Sequence, residues 1–149
     1  MDEIDFESFA KADEPSILLL DDQFQNNPKN LVPLFAGIVH DHSVVVWYLT
    51  QSYFSNNSAW RVVVRNTNLI LWFRSPTAVN SFATFARQLL PCKPNVAVAI
   101  YNAALHDFER YNHSAFGYLA ICLSLLSNEG PTLLTGIGHG EQPILYTLK

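Results

Sequence analysis

Short continuous apolar runs alternate along this chain with segments whose apolar residues recur at helical spacing. The first two runs, Ser16 to Leu20 and Ser43 to Thr50, show no alternation of polar and apolar residues. Such runs are typical of strands that are buried on both faces of a parallel sheet. Between them, the stretch from Pro28 to His40 has a proline at a possible helix start and apolar residues at helical spacing. Strands that alternate with helices predict an α/β fold with a mostly parallel sheet flanked by helices.

The later part of the chain continues this alternation. Strands are predicted at residues 68–73, 116–124 and 143–148, and helices at 75–91 and 95–111. Trp60 to Val64 forms a further short apolar element, and the glycines at 136, 138 and 140 predict a turn before the last strand. The sequence contains no linker, repeat or low-complexity tract, so a single domain is expected.

The size and composition of the chain fit one globular domain with an aromatic core. It has 149 residues, of which 49% are hydrophobic and 15% are charged. Residues 1–15 are interpreted as an acidic lead-in, opposite in charge to a signal peptide. No run of 18 apolar residues occurs, so no membrane span is expected. We therefore expect an intracellular protein, whether in a virion or in a host-cell compartment.

The two cysteines, Cys92 and Cys122, have no partner at zinc or redox spacing, which predicts buried free thiols.

Charge is distributed unevenly along the sequence. Residues 1–22 contain eight acidic side chains and one basic one, a balance of −7, although the whole chain carries only −4. No Asp or Glu occurs between Asp41 and Asp107. Five basic residues lie in that interval: Arg61, Arg65, Arg74, Arg87 and Lys93. These residues either raise the local potential for anions such as phosphate or are dispersed over unrelated faces.

Two carboxylates end the first apolar strand, and a glutamine follows the second. The run that ends in Asp21 and Asp22 has the form of a Walker B element. Asp21 would hold a magnesium ion through its water shell against the phosphates of a nucleotide, and Asp22 would polarise the attacking water. Gln51 would lie beside them if the strands are parallel neighbours, because ligands bind at the carboxyl ends of such strands. The alternative is that all three residues only cap strands.

These motifs resemble those of poxvirus-type genome-packaging ATPases, which belong to the FtsK–HerA group of P-loop proteins and also occur in adintoviruses and Polinton-type transposons. The resembling segments are ILLLDD at 17–22, NLVPLFAGIVHDHSVVVWYLTQSYF at 30–54, Arg61 and Asn66, NLILWFRSP at 68–76, ARQLLP at 86–91 and FGYLAI at 116–121. The resemblance covers roughly residues 16–125. It implies that residues 16–149 are the C-terminal half, from Walker B onward, of a RecA-like ATPase domain.

The resemblance also implies roles for particular residues. Asp21 and Asp22 match the Walker B acids, and Gln51 matches the sensor that contacts the γ-phosphate. Arg61 and Arg74 are candidates for an arginine finger, with Arg61 preferred because it directly precedes a strand. The implied cofactor is Mg-ATP, and the implied partners are double-stranded DNA and further copies of the chain in a ring.

The chain departs from the family pattern because it lacks the Walker A motif, G-x-x-x-x-G-K-[ST]. Without the backbone cradle and lysine that bind the phosphates, we expect no ATP hydrolysis by this chain unaided. It is then expected to be a fragment of a longer viral or transposon-derived gene product, a subunit whose partner supplies the P-loop, or a decayed relic. Other readings are a non-enzymatic α/β interaction module and a nuclease or hydrolase with paired carboxylates. For the last, the acid-free interval offers no further ligand.

Overall fold

The computed structural model describes residues 14–21, 31–38, 43–51, 58–75, 78–90, 92–112, 117–123, 131–137 and 143–146. The chain divides into two compact units, Met1–Thr67 (unit 1) and Asn68–Lys149 (unit 2). Both units contain helices and strands. The chain is therefore an α/β protein, as its sequence predicts.

Unit 1 contains a pair of parallel strands. Strand β1 (Ser16–Asp21) pairs with β2 (Val44–Leu49), and Asp21 lies opposite Leu49. A π-helical segment (Leu34–Ile38) lies between them in sequence, and helix α1 (Ser58–Arg65) follows. The predicted parallel pairing of these two strands is confirmed.

One face of this strand pair packs on the hydrophobic core of unit 1. Leu18, Leu20, Val46 and Tyr48 point towards that core. Its other main members are Leu31, Leu34, Phe35, Trp60 and Val63. The Trp60 ring meets the Tyr48 ring edge-on, with 5.6 Å between centroids, so α1 packs against β2.

The opposite face of the strand pair is exposed. It carries five large apolar side chains, which we call the outer face: Ile17, Leu19, Val45, Trp47 and Leu49. They are exposed because successive residues of a strand point to opposite sides and only one side reaches the core. The prediction that both strands are buried on two faces is therefore wrong.

Helix α1 contains the stretch Trp60 to Val64. Its core-facing residues recur at helical spacing, and the side chains that follow it close its C-terminal end. The Asn66 amide donates a hydrogen bond to the Val62 carbonyl (2.8 Å), and the Thr67 hydroxyl donates one to the Val63 carbonyl (2.9 Å). The same two carbonyls also accept from the Asn66 backbone N–H (3.2 Å each), so the side chains add donors at the helix end, where backbone donors run out.

Unit 2 contains a four-stranded antiparallel sheet and two helices. The strands, in spatial order, are β3 (Leu69–Phe73), β4 (Tyr118–Cys122), β5 (Thr132–Thr135) and β6 (Ile144–Tyr146). Helices α2 (Ala78–Leu89) and α3 (Pro94–Asn112) connect β3 to β4. Every pairing in this sheet is antiparallel, so the prediction of a mostly parallel sheet is wrong for unit 2.

The connection between β3 and β4 explains the difference. The sequence pattern of strand, helix and strand suggests single-helix crossovers, which join parallel neighbours. Here two helices that pack against each other lie between the strands. Two successive helices carry the chain away and back again, so β4 runs opposite to β3.

Aromatic side chains form the part of the unit 2 core beside α2. Phe82, Phe85 and Tyr101 are almost completely buried. Trp72 of β3 packs against both phenylalanines, with ring centroids 5.4 Å and 5.1 Å away, and Phe82 stacks on Tyr101 at 4.9 Å. The Tyr101 hydroxyl donates a hydrogen bond to the Phe73 carbonyl (3.2 Å), which fixes α3 to the end of β3.

Helix α3 is the longest helix of the described residues, with 19 residues. Its buried positions recur along one side: Ala97, Tyr101, Ala104, Leu105 and Phe108. Its other side is exposed and carries the polar residues Asn95, Asn102, His106 and Arg110 together with Val96, Ala99 and Ala103. No helix in the described ranges is both long and apolar enough to cross a membrane.

Candidate functional site

The carboxyl ends of β1 and β2 lie at the same edge of the parallel pair. Asp21 is the last residue of β1 and faces Leu49, and Gln51 follows two residues beyond Leu49. This register brings the chain positions of the predicted acid and sensor to one edge, as the Walker B interpretation requires. Asp22 lies outside the described residues.

Both described residues at this edge are exposed to solvent. Asp21 lies on the same side of β1 as Leu19, and Gln51 follows the end of β2. A carboxylate in this position can bind a hydrated Mg²⁺ ion, which retains several water molecules and takes few protein ligands. Within the described ranges, no three His, Cys, Asp or Glu side chains cluster as a metal site. Asp21 is the one described carboxylate at this edge and could supply one ligand to such a hydrated ion.

Arg61 lies in unit 1, in the first half of α1. Its neighbours Trp60 and Val63 point into the core, whereas the Arg61 side chain is exposed. Arg61 does not directly precede a strand, so the expectation by which it was preferred over Arg74 as an arginine finger is wrong. Strand β3 begins only at Leu69, because the intervening residues continue and then close the helix. An exposed helical arginine can still reach an anion on a neighbouring molecule.

Arg74 lies in unit 2, directly after β3. Its guanidinium forms an ion pair with the Glu109 carboxylate of α3, and its backbone N–H donates to the Gly117 carbonyl (3.2 Å). Both side chains of the pair are largely exposed, so the pair adds little to stability. Arg74 would have to exchange Glu109 for a phosphate in order to act as an arginine finger.

Tyr146, a residue of unit 2 that the sequence did not single out, has a raised pKa because it is partly buried and lies beside a carboxylate. The Tyr146 hydroxyl of β6 donates a 2.8 Å hydrogen bond to Oδ2 of Asp107 in α3. Burial raises the pKa of Tyr146 strongly, and the hydrogen bond and the charge of Asp107 raise it further. No sequence signal could reveal this contact, because 39 residues separate the two partners.

We expect Tyr146→Phe to lower stability by about 1 kcal/mol near pH 8, because it removes a hydrogen bond to a charged group at a partly exposed site. The pKa of Tyr146 is higher in the folded chain than the usual value of 10.0. Its stabilising effect is therefore complete below about pH 10 and is lost as the pH rises towards the folded-state pKa. Urea unfolding between pH 8 and pH 12 should show a shallower decline for the variant. Equal slopes for both proteins would contradict the assignment.

Two further hydrogen bonds fix the sheet of unit 2 near its glycine turn. The buried Thr135 hydroxyl donates to the Tyr118 carbonyl (2.8 Å), and the Tyr118 hydroxyl donates to the Ile137 carbonyl (2.6 Å). Gly136 lies between Thr135 and Ile137 in sequence and has a backbone φ of 78°, a conformation that favours glycine. The predicted glycine turn is thus present at Gly136, while Gly138 and Gly140 lie outside the described residues.

Cys92 and Cys122 are free thiols, as the sequence predicts, and both are only partly buried. Desolvation by burial raises the pKa of each thiol above its usual value of 9.0. Both are therefore protonated near neutral pH, and neither has the lowered pKa of a nucleophilic cysteine.

Comparison of the chain with protein-family models, curated proteins and solved structures finds no significant match. The family of the chain is therefore not shown by similarity. The resemblance to packaging ATPases stays a prediction from the motif residues.

Proposed function

We propose that unit 1 provides the Walker B and sensor half of an ATP site in a DNA-translocating ATPase of the packaging type. The observation that supports this proposal is the parallel register of β1 and β2, which brings Asp21 and the chain leading to Gln51 to one sheet edge. In this proposal unit 1 is part of a RecA-like core. The phosphate-binding loop comes from another polypeptide segment or from a partner subunit.

The proposed chemistry divides between three side chains. Asp21 would hold the hydrated magnesium ion that accompanies the nucleotide, and the ion would neutralise phosphate charge. Asp22 would polarise the water that attacks the γ-phosphate. Gln51 would contact the γ-phosphate and the same water through its neutral amide. These roles need the phosphates to be held in place, which is the task of the missing loop.

Arg61 and Arg74 are the proposed arginine fingers, one in each unit. A finger stabilises charge on the γ-phosphate of a neighbouring subunit and thereby couples hydrolysis around a ring. Exposure of both side chains is compatible with this role. Among the described residues, no ion pair involves Arg61, whereas Arg74 must leave Glu109 to act as a finger.

Double-stranded DNA is the proposed partner of the assembled ring. The described basic residues of the acid-free interval lie on both units and are all exposed: Arg61, Arg65, Arg74, Arg87 and Lys93. Arg61 and Arg65 are four residues apart on α1, so they lie on neighbouring positions of one helix face. Such a pair can contact successive phosphates without reading the base sequence.

The antiparallel sheet of unit 2 supports a second candidate, a non-enzymatic interaction module. A RecA-like core is expected to be mostly parallel, yet the four described strands of unit 2 are antiparallel. In this alternative, Asp21, Asp22 and Gln51 are polar caps at strand ends. The two candidates differ in whether a divalent metal nucleotide binds specifically at the end of β1.

Paramagnetic Mn²⁺ in place of Mg²⁺ can locate such a complex even when binding is weak. With Mn-ATP, the proposal predicts selective broadening of the Asp21 and Gln51 amide signals in NMR spectra, at a dissociation constant on the order of 1 mM because the phosphate loop is absent. Asp21→Asn should remove most of this broadening. The amide signals of Asp107 and Glu109, two acidic residues of α3, are the internal comparison and should be broadened less. Broadening centred on α3, or unchanged in Asp21→Asn, favours the interaction module.

A further inference from the structure

The outer face of unit 1 is a contiguous apolar surface. Ile17 lies opposite Val45 and Leu19 lies opposite Trp47 in the parallel register, with Leu49 beyond them. Their exposures range from 43% for Leu49 to 77% for Ile17. A parallel strand pair normally has both faces covered, so this surface is unusual for its strand type.

The size of this surface matches that of the apolar patches through which soluble proteins often bind other molecules. With roughly 200 Å² of accessible surface for each large apolar side chain, the exposed fractions leave roughly 500 Å² open to solvent. This lies within the range of the largest apolar patch on typical soluble monomers, and such patches often bind another molecule. The only charged residue on this side of the described strands is Asp21, at one end.

We propose that the outer face packs against the same face of a second copy of this chain. A twofold axis makes an apolar face self-complementary, since each copy presents the same side chains to the other. Two such faces together bury roughly 1,000 Å², which is the lower limit for a specific interface. Strand pairs can pack face to face at a separation of about 10 Å.

Charge favours one orientation of the two copies. When the strands of the two copies run in opposite directions, their Asp21 carboxylates lie at opposite ends of the interface. This arrangement avoids repulsion between like charges and leaves each carboxylate at the solvent-exposed rim. Leu19 and Trp47, in the middle of the face, then lie closest to the twofold axis. The dimer does not depend on the nucleotide site, so its failure would leave the proposed function untouched.

Light scattering after size-exclusion chromatography tests this interface directly. The wild-type chain should have twice its monomer mass of 16.8 kDa at micromolar concentrations. Trp47→Glu should weaken self-association by at least about 100-fold, because it places a charge at the centre of the buried face. Leu145→Glu is the matched control, since Leu145 is 59% exposed but lies on β6 of unit 2. It should leave the dimer unchanged.

A charge-pair experiment separates contact from misfolding. Trp47→Glu and Trp47→Lys should each be monomeric with the circular dichroism spectrum of the wild type, and their equimolar mixture should recover the dimer. A monomeric wild-type chain, a dimer that persists in Trp47→Glu, or equal loss in Leu145→Glu would overturn the proposal. A folded mixture that stays monomeric would also overturn it, because opposite charges would then not meet.

Discussion

Phe82→Ala is expected to destabilise unit 2 by about 3–5 kcal/mol. Phe82 has no exposed surface and packs against Trp72, Phe85 and Tyr101. Truncation removes the ring from a closely packed aromatic cluster and leaves a cavity between β3, α2 and α3. The loss is comparable to the total stability of many domains, about 5–15 kcal/mol, so the variant should be partly unfolded under mild conditions.

The matched control is the same substitution at an exposed position of the same unit. Phe73 is 51% exposed at the end of β3, and its ring contacts Tyr118 at 5.8 Å. Phe73→Ala should therefore cost only about 1–2 kcal/mol, since half of the side chain is already in water. Guanidinium unfolding and amide exchange in β4 measure both costs. Similar losses for the two variants would show that the aromatic cluster is not the core of unit 2.

The sequence predicted most elements because their apolar patterns are local. Strands β2, β3 and β4 lie within the predicted strands, and β1 extends one residue beyond its predicted end. Helix α2 lies within its predicted segment, and α3 exceeds its predicted segment by one residue at each end. Buried positions at helical or alternating spacing are read directly from the chain. Strand β5 was missed because its four residues, Thr132–Thr135, are too few to show a period.

Strand direction in unit 2 could not be predicted in the same way. The antiparallel pairing of β3 with β4 depends on how α2 packs against α3, which is a contact between distant residues.

The local sequence also does not decide whether Trp60 to Val64 forms a helix or a strand. Its β-branched residues favour a strand, and only the burial of Trp60 and Val63 favours a helix. The boundary after Thr67 also has no linker composition that would mark it.

The candidate site was predictable to the extent that it lies at strand ends. Polar residues directly after apolar runs predict the common edge of Asp21 and Gln51, and the parallel register agrees. Pairings such as Arg74 with Glu109 and Tyr146 with Asp107 were not predictable, because their partners are 35 and 39 residues away. Only the folded chain brings these groups together.

ATP turnover should be absent from this chain and should appear when a phosphate loop is supplied. The P-loop contributes most of the binding energy for the phosphates, through backbone N–H groups and a lysine. In the proposed site, Asp21 and Asp22 would act on a nucleotide that the loop already holds. The proposal thus predicts that a segment with G-x-x-x-x-G-K-[ST] is encoded upstream in the same frame or in a partner gene, within the length of about 100–200 residues typical of one domain.

Asp22→Asn should have the largest effect on the completed enzyme. Loss of the group that activates the attacking water typically lowers the rate by about 10²–10⁴-fold. Gln51→Ala should also lower turnover, since contact with the γ-phosphate is the role proposed for this amide. Glu14→Gln is a suitable control because Glu14 is an exposed acid just before β1, on no sheet edge that carries the site.

Steady-state ATP hydrolysis by the chain joined to, or mixed with, that P-loop segment is the most direct measurement. We expect magnesium-dependent turnover that requires both polypeptide parts, falls by about 10²–10⁴-fold in Asp22→Asn and is unchanged in Glu14→Gln. Magnesium-dependent turnover by the wild-type chain without the added segment, lost in Asp22→Asn, would contradict the half-site. So would a completed enzyme whose rate is the same in Asp22→Asn as in the wild type.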